Sequence, residues 1–242
     1  MFGKIKKNLR NFFLILFGIF ILLGILLFKI LSPKINKNDG NNIENKKNIL
    51  NNDFYSNISL KGKGDINSKN YVTVLSDYGC WWSSKFYLET ITPFLKQSDL
   101  NNIWLQYDFL VLDETSSSLL PTEGAYCVNE QGKFWEFHDK VFRLKEKYDK
   151  AEEAFTEENI NNLAKSLDVY NEEFKTCMQE HRYRNTILSR AKHYLNSMDK
   201  LGVPTTFLNG KPLTMLIDGK EQAVGAIDIN VFNQKIQEWL NN

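Results

Sequence analysis

The stretch from Tyr71 to Phe86, YVTVLSDYGCWWSSKF, constrains the fold more than any other part of the chain. Tyr71 to Leu75 are β-branched, aromatic or apolar, as a buried strand requires. Ser76, Asp77 and Gly79 then supply turn-forming side chains. After Cys80, the apolar positions Trp82, Phe86 and Ile91 follow helical rather than strand spacing. A strand, a tight turn and a cysteine in the first turn of a helix form a chemical arrangement as well as a structural one. Unpaired backbone N–H groups at a helix start favour an anion, so a thiol there tends to ionise. A lone Cys beside a helix is also commonly a small buried hydrophobe, and this stretch alone leaves both readings of Cys80 open.

The chain opens with a membrane address. Lys4, Lys6, Lys7 and Arg10 precede an unbroken apolar run from Phe12 to Phe28. Continued to Leu31, a helix here spans about 30 Å, the thickness of a bilayer core. A cleaved signal peptide has a shorter apolar region ending in small residues. This run stays bulky to its end, which favours a retained signal anchor over residues 1–31. The basic residues before it place the N-terminus in the cytoplasm and the body outside, at the periplasmic face of a single-pass cytoplasmic-membrane protein. Residues 32–69 are crowded with Asn and Lys and poor in apolar side chains. They read as a flexible tether, since such a segment buries too little surface to offset ordering.

The remainder, residues 70–242, reads as one globular domain. Hydrophobic residues make up 43% of the chain and aromatics 13%, enough for a real core. A formal net charge of +1 gives no global field that would recruit nucleic acid. Ile103 to Leu112 reads as a second buried strand, and strand–helix–strand order implies a right-handed parallel unit. A helical block follows over about 113–201. Thr156 and Asn171 are candidate caps within it. The longest helix runs from Tyr183 to Leu201 and ends at Gly202. Thr205–Leu208 is a short strand, with turns at Asn209-Gly210 and Asp218-Gly219, and Asp228 caps a final amphipathic helix. The order is β-α-β, a helical block, then β-β-α: an α/β domain.

The chain has 3 Cys and 3 His, with no zinc-type spacing among them. No metal is expected. An odd cysteine count leaves at least one free thiol in the monomer. Cys127 and Cys177 each fall on an expected helix with apolar neighbours. They are either a structural disulfide, which an exported protein favours, or two separate reduced core thiols.

This arrangement resembles the DsbA-like thioredoxin-fold family of thiol:disulfide interchange proteins, in which a helical domain is inserted into a thioredoxin fold. Three segments carry the resemblance over about residues 70–240: Ser76-Asp77-Tyr78-Gly79-Cys80, Glu130-Gln131-Gly132-Lys133-Phe134-Trp135, and Gly202-Val203-Pro204-Thr205 with Asn209-Gly210. The resemblance implies a cis peptide bond at Pro204, facing a catalytic Cys80. It also implies that the backbone at Val203 pairs with an extended peptide docked against the thiol. One departure matters. The family motif is Cys-x-x-Cys, and this chain has Cys80-Trp81-Trp82-Ser83. Ser83 stands at the position of the resolving cysteine, and a hydroxyl cannot form a disulfide. Cys80 can still attack a substrate disulfide and form a mixed disulfide, which a second thiol must release. Trp81 and Trp82 add a bulky apolar surface that can grip unfolded peptide or desolvate the thiolate.

Two functions follow as expectations. The first is a membrane-anchored thiol–disulfide oxidoreductase of single-thiol type, isomerase- or reductase-like rather than a dithiol oxidase. It would form mixed disulfides with exported proteins and be recycled by a thiol reductant or redox partner. The alternative is a catalytically degenerate thioredoxin-like module that binds peptides or partner proteins. Neither calls for a cofactor or for nucleic acid.

Overall fold

A computed structural model describes residues 60–198 and 200–241. The expected membrane helix over 1–31 and residues 32–59 of the expected tether lie outside the described residues. Among the described residues no helix is long and apolar enough to cross a membrane.

The first expected strand is the centre of the sheet. β2 (Tyr71–Ser76) is buried at every residue after Tyr71, which is why its sequence is apolar on both faces. On one side it pairs in parallel with β3 (Trp104–Phe109), from Tyr71↔Trp104 to Ser76↔Phe109. On the other it pairs antiparallel with β4 (Thr205–Leu208), from Val72↔Leu208 to Leu75↔Thr205. β5 (Lys211–Pro212) continues beyond β4, and β1 (Lys63–Gly64) flanks β3, so that the order among the described residues is β1-β3-β2-β4-β5. A separate hairpin comprises β6 (Thr214–Ile217) and β7 (Lys220–Ala223).

The extent of β3 and the start of the domain differ from the sequence reading. β3 stops at Phe109 rather than Leu112, because β2 ends at Ser76 and offers no further ladder; the last rung is Leu110 N to Ser76 O, 2.8 Å. The domain also starts before residue 70. Leu60 is buried in the core and β1 pairs antiparallel with β3 through Lys63↔Leu105 and Gly64↔Trp104. Polar composition hid this segment, which is held by backbone hydrogen bonds more than by apolar side chains.

The crossover from β2 to β3 contains α1 (Trp81–Phe86), a wider π-type segment (Tyr87–Ile91) and α2 (Thr92–Gln97). Pro93 has no N–H to give to the carbonyl one turn back. The ladder widens just before it, with Thr92 N donating to Tyr87 O. The inserted block contains α3 (Leu119–Asn129), α4 (Phe134–Lys145), α5 (Ala151–Ala154), α6 (Glu157–Lys165), α7 (Glu172–Gln179) and α8 (Arg184–Ser197). Thr156 caps α6 by accepting from Asn159 N, and Asn171 caps α7 by accepting from Phe174 N. Gly132, at φ +71°, ends α3 with Lys133 N donating back to Val128 O. The final helix α9 (Ile229–Leu240) is capped by Asp228.

α8 ends at Ser197, four residues earlier than its apolar periodicity suggests, since Met198 takes an extended backbone (φ −134°, ψ 130°). The chain leaves the helix here to bring Gly202–Pro204 back to β2, a tertiary demand that overrides local propensity. α8 is tied to the sheet by a buried ion pair, Arg190 Nη2 to Asp108 Oδ2 at 2.7 Å. Cys127 on α3 and Cys177 on α7 form a disulfide with Cα atoms 5.9 Å apart. Aromatic rings pack α9 against the crossover: Phe86 and Phe94 meet Phe232 of α9 edge-on at 5.7 and 5.0 Å.

Candidate active site

Between β2 and α1 the backbone turns through Asp77, Tyr78 and Gly79. Cys80 N donates to Asp77 O at 3.1 Å, closing the turn. The Asp77 carboxylate accepts from Gly79 N at 2.6 Å through Oδ1 and from Ser118 Oγ at 3.2 Å through Oδ2. These bonds hold Cys80 at the N-cap of α1 with an extended backbone (φ −81°, ψ 122°), and its thiol is not spent on capping the helix. Burial pushes the Asp77 carboxyl above its ordinary range, against the opposing hydrogen bonds from Gly79, Ser118 and Cys80. Glycine at position 79 has a local cause: a Cβ there would stand 3.2 Å from Asp77 Oδ1 and 3.4 Å from the Ala151 side chain.

The sulfur meets the other end of the domain. Cys80 Sγ lies 3.6 Å from the carbonyl oxygen of Val203, and the Val203–Pro204 bond is cis. β4 begins directly after Pro204, so its pairing with β2 delivers this loop to the thiol. Cys80 is half-buried, and it is the free cysteine among the described residues.

Ser83 is buried, 1% exposed, one helical turn after Cys80. Its Oγ accepts from Asp77 N at 3.3 Å, so this hydroxyl supports the turn. The two tryptophans behave differently from the core aromatics. Trp81 and Trp82 are 58% and 55% exposed, and their rings meet edge-to-face at 4.7 Å. Lys85 Nζ lies 5.2 Å from the Trp81 ring centre and 5.9 Å from that of Trp82. Together they make an apolar shelf beside the sulfur with a cation at its back. The structure thus brings Cys80, Trp81, Trp82, Ser83, Val203 and Pro204 into one region, while Cys127 and Cys177 sit apart in the helical block.

Several supporting groups escaped the sequence reading. Tyr78 OH lies 2.8 Å from His138 Nδ1, both fully buried. Burial pushes the His138 imidazole well below its ordinary value and the Tyr78 phenol well above its own, so both are neutral. Tyr78 also stacks on Phe109 at 4.5 Å. The pair anchors the Cys80 turn to α4. Gly225 packs on the cis-proline loop, where a Cβ would stand 3.1 Å from Pro204 O. The Ser-Asp-x-Gly pattern signals a turn, but the carboxylate's partner Ser118 and the Tyr78 partner His138 lie 41 and 60 residues away. No local signal joins them.

Among the described residues, His, Cys, Asp and Glu form no cluster suited to a metal ion. What the arrangement can do is expose one thiol against a carbonyl-lined cis-proline loop.

A family model described as Thioredoxin matches residues 62–228. A "Putative protein-disulfide oxidoreductase" of Rickettsia bellii (strain RML369-C) is 23% identical over 125 residues, 52% of this chain; the chain spans about half, 48%, of that protein's length. Among solved structures, alpha-DsbA2 from Wolbachia pipientis superposes with a TM-score of 0.61 at 17% identity, covering 82% of this chain and 96% of that one. Oxidised BdbD from Bacillus subtilis gives a TM-score of 0.61 at 17% identity, over 76% and 94% of the two chains. A thioredoxin-like oxidoreductase from Silicibacter pomeroyi DSS-3 gives 0.61 at 15%, over 79% and 99%. At these identities the likeness speaks for the fold. The DsbA-type structures it superposes on share its fold, and the family match covers well over half of the sequence: the chain belongs to the thioredoxin family.

Proposed function

We propose that the protein is a membrane-anchored thiol–disulfide oxidoreductase of single-thiol type, acting on exported proteins outside the cytoplasmic membrane. The observation that carries this reading is the 3.6 Å approach of Cys80 Sγ to Val203 O, with Ser83 rather than Cys one turn further on. The Cys80 thiolate attacks one sulfur of a substrate disulfide. A new Sγ–S bond forms, the substrate S–S bond breaks, and the departing sulfur leaves as a thiolate that takes a proton from solvent. Because Ser83 has no sulfur, a second thiol from the substrate or a small reductant attacks the mixed disulfide and returns Cys80 as thiolate. In this reading the backbone at Val203 pairs with an extended peptide, and the exposed Trp81–Trp82 pair gives it apolar contact.

The apolar run from Phe12 to Phe28 with basic residues before it supports the anchor and the extracytoplasmic placement. Trapping with alkylating agent in cells, followed by non-reducing electrophoresis, tests the reading. Adducts of higher mass that vanish on reduction and in Cys80→Ala are expected. Capture of peptides or proteins that persists unchanged in Cys80→Ala, with no covalent adduct, would favour the peptide-binding module instead.

A further inference from the structure

Opposite the cis-proline loop stands the β6–β7 hairpin, and the two form the walls of a groove of about 1060 Å³. Gly202–Thr205 line one wall and Lys220–Ala223, with Gly225, the other. Ligand sites are roughly 300–1,000 Å³, so this space suits several residues of chain rather than one side chain. All of β7 is exposed, and among the described residues it pairs only with β6.

The hydrogen-bond pattern of the hairpin decides what β7 offers. Val224 N donates to Leu213 O at 3.1 Å, and the ladder runs from Thr214↔Ala223 to Ile217↔Lys220. In an antiparallel pair the bonding residues alternate. Lys220, Gln222 and Val224 therefore turn their N–H and C=O groups toward β6. Glu221 and Ala223 turn theirs away from it, on the strand that lines the groove. Two residues apart on one edge, these groups match the repeat of an added strand and no small-molecule shape. Side chains of both signs line the groove, Lys200, Lys220 and Glu221, so it selects no single charge. Main-chain recognition of this kind tolerates varied sequence.

We propose that the outer edge of β7 receives the extended backbone of the polypeptide linked to Cys80, adding it as a third strand to the β6–β7 hairpin. The occupant is set by position: the wall facing β7 contains Val203, whose carbonyl touches the sulfur, so a chain bonded to Cys80 enters beside this groove. Gly225, bare against Pro204, adds no side chain between the walls. The inference rests on the single-thiol reading of Cys80 and extends it from a reactive sulfur to the strand edge that holds the backbone of the attached chain.

The test compares two probes on the full-length, detergent-solubilised protein. One is the small disulfide of thionitrobenzoate, and the other is a Val- and Thr-rich peptide carrying thionitrobenzoate on its cysteine. Release of the coloured thiol gives both rates. Glu221→Pro and Ala223→Pro each delete one outward N–H without touching the bonds to β6. Each is expected to lower the peptide-to-small-probe rate ratio about tenfold, while Leu216→Ser on β6 leaves the ratio as it was. Peptide N-methylated on alternate amides should show the same loss against the natural chain, a measurement independent of how the proline variants fold. An unchanged ratio in the proline variants and full reactivity of the N-methylated peptide would overturn the β7 assignment. Failure of the small probe to react with Cys80 at all would instead remove the reading of the thiol, and the inference with it.

Discussion

Cys80 Sγ and the Val203 carbonyl oxygen stand 3.6 Å apart although 123 residues separate them in the chain. The helical block and most of the domain's mass lie within that interval. The contact exists because β4 pairs antiparallel with β2 through Leu75↔Thr205, which sets the start of β4, just after Pro204, beside the end of β2, just before Cys80. The thiol and the loop that faces it are thus extensions of neighbouring strands, which is how a rigid sheet holds two reactive elements in register.

Ser83→Cys is expected to confer dithiol cycling. Ser83 sits one helical turn after Cys80 and is nearly fully buried, so a thiol there stands within the same helix start. Insulin reduction with an excess of dithiol reductant should rise at least about tenfold over the natural chain. The variant loses the acceptor for Asp77 N at 3.3 Å, so its melting temperature should fall slightly. Equal activity in both proteins would mean that the chemistry does not run through these two positions.

Asp77→Asn should stabilise the domain at neutral pH. A carboxyl with a folded-state pKa above its unfolded value holds an extra proton in the fold, so stability falls as pH rises from the unfolded value through the folded one. Burial is the main cause of the Asp77 shift. Asparagine retains an oxygen for the Gly79 N–H and carries no charge to desolvate. Melting curves across pH 4–8 should show a flatter decline with rising pH in Asp77→Asn than in the natural chain. A lower melting temperature for the variant at pH 7 would show that the ionised carboxylate is needed to hold the Cys80 turn.

The Tyr78–His138 pair predicts the opposite slope. A buried imidazole held below its ordinary value stays neutral in the fold but takes up a proton when unfolded below pH ~6.5. Stability is complete above that value and falls as pH drops below it. Exchanging both residues, Tyr78→Phe with His138→Phe, should abolish this acid sensitivity. His138→Phe alone should cost more, since it leaves the Tyr78 hydroxyl buried without its partner, a loss of about 1–3 kcal/mol. Chemical denaturation of the three proteins at pH 5 and pH 7.5 separates these outcomes.

Removing the helical-block disulfide should destabilise the domain without silencing Cys80. Cys127 and Cys177 are 50 residues apart, and the chain-entropy relation gives about 4 kcal/mol for such a loop. Cys127→Ala with Cys177→Ala is expected to lower the denaturation midpoint accordingly, while Cys80 keeps its rate of reaction with a small disulfide. Non-reducing peptide mapping of the natural chain should recover Cys127 and Cys177 in one linked peptide. Two free thiols on that map would remove the basis for the stability loss.

Local chemistry made much of this protein legible from its residues alone. The apolar run Tyr71–Leu75, the turn formers after it and the helical spacing from Trp82 to Ile91 specify strand, turn and helix within one short segment. Thr156, Asn171 and Asp228 mark helix starts because a side-chain oxygen satisfies amides two or three residues away, an interaction the sequence displays directly. Other features depend on partners far along the chain. The Asp77 carboxylate could be seen, but not the Ser118 hydroxyl that bonds it; Tyr78 could be seen, but not His138 from α4. β1 is polar and short, so only its pairing with β3 reveals it as a strand. α8 stops short of its periodicity because the cis-proline loop must reach β2. The outward edge of β7 exists only by virtue of its register with β6. Periodicity and capping act over a few residues and are written in order along the chain, whereas burial, strand register and the electrostatics of a buried group are properties of what the fold places around them.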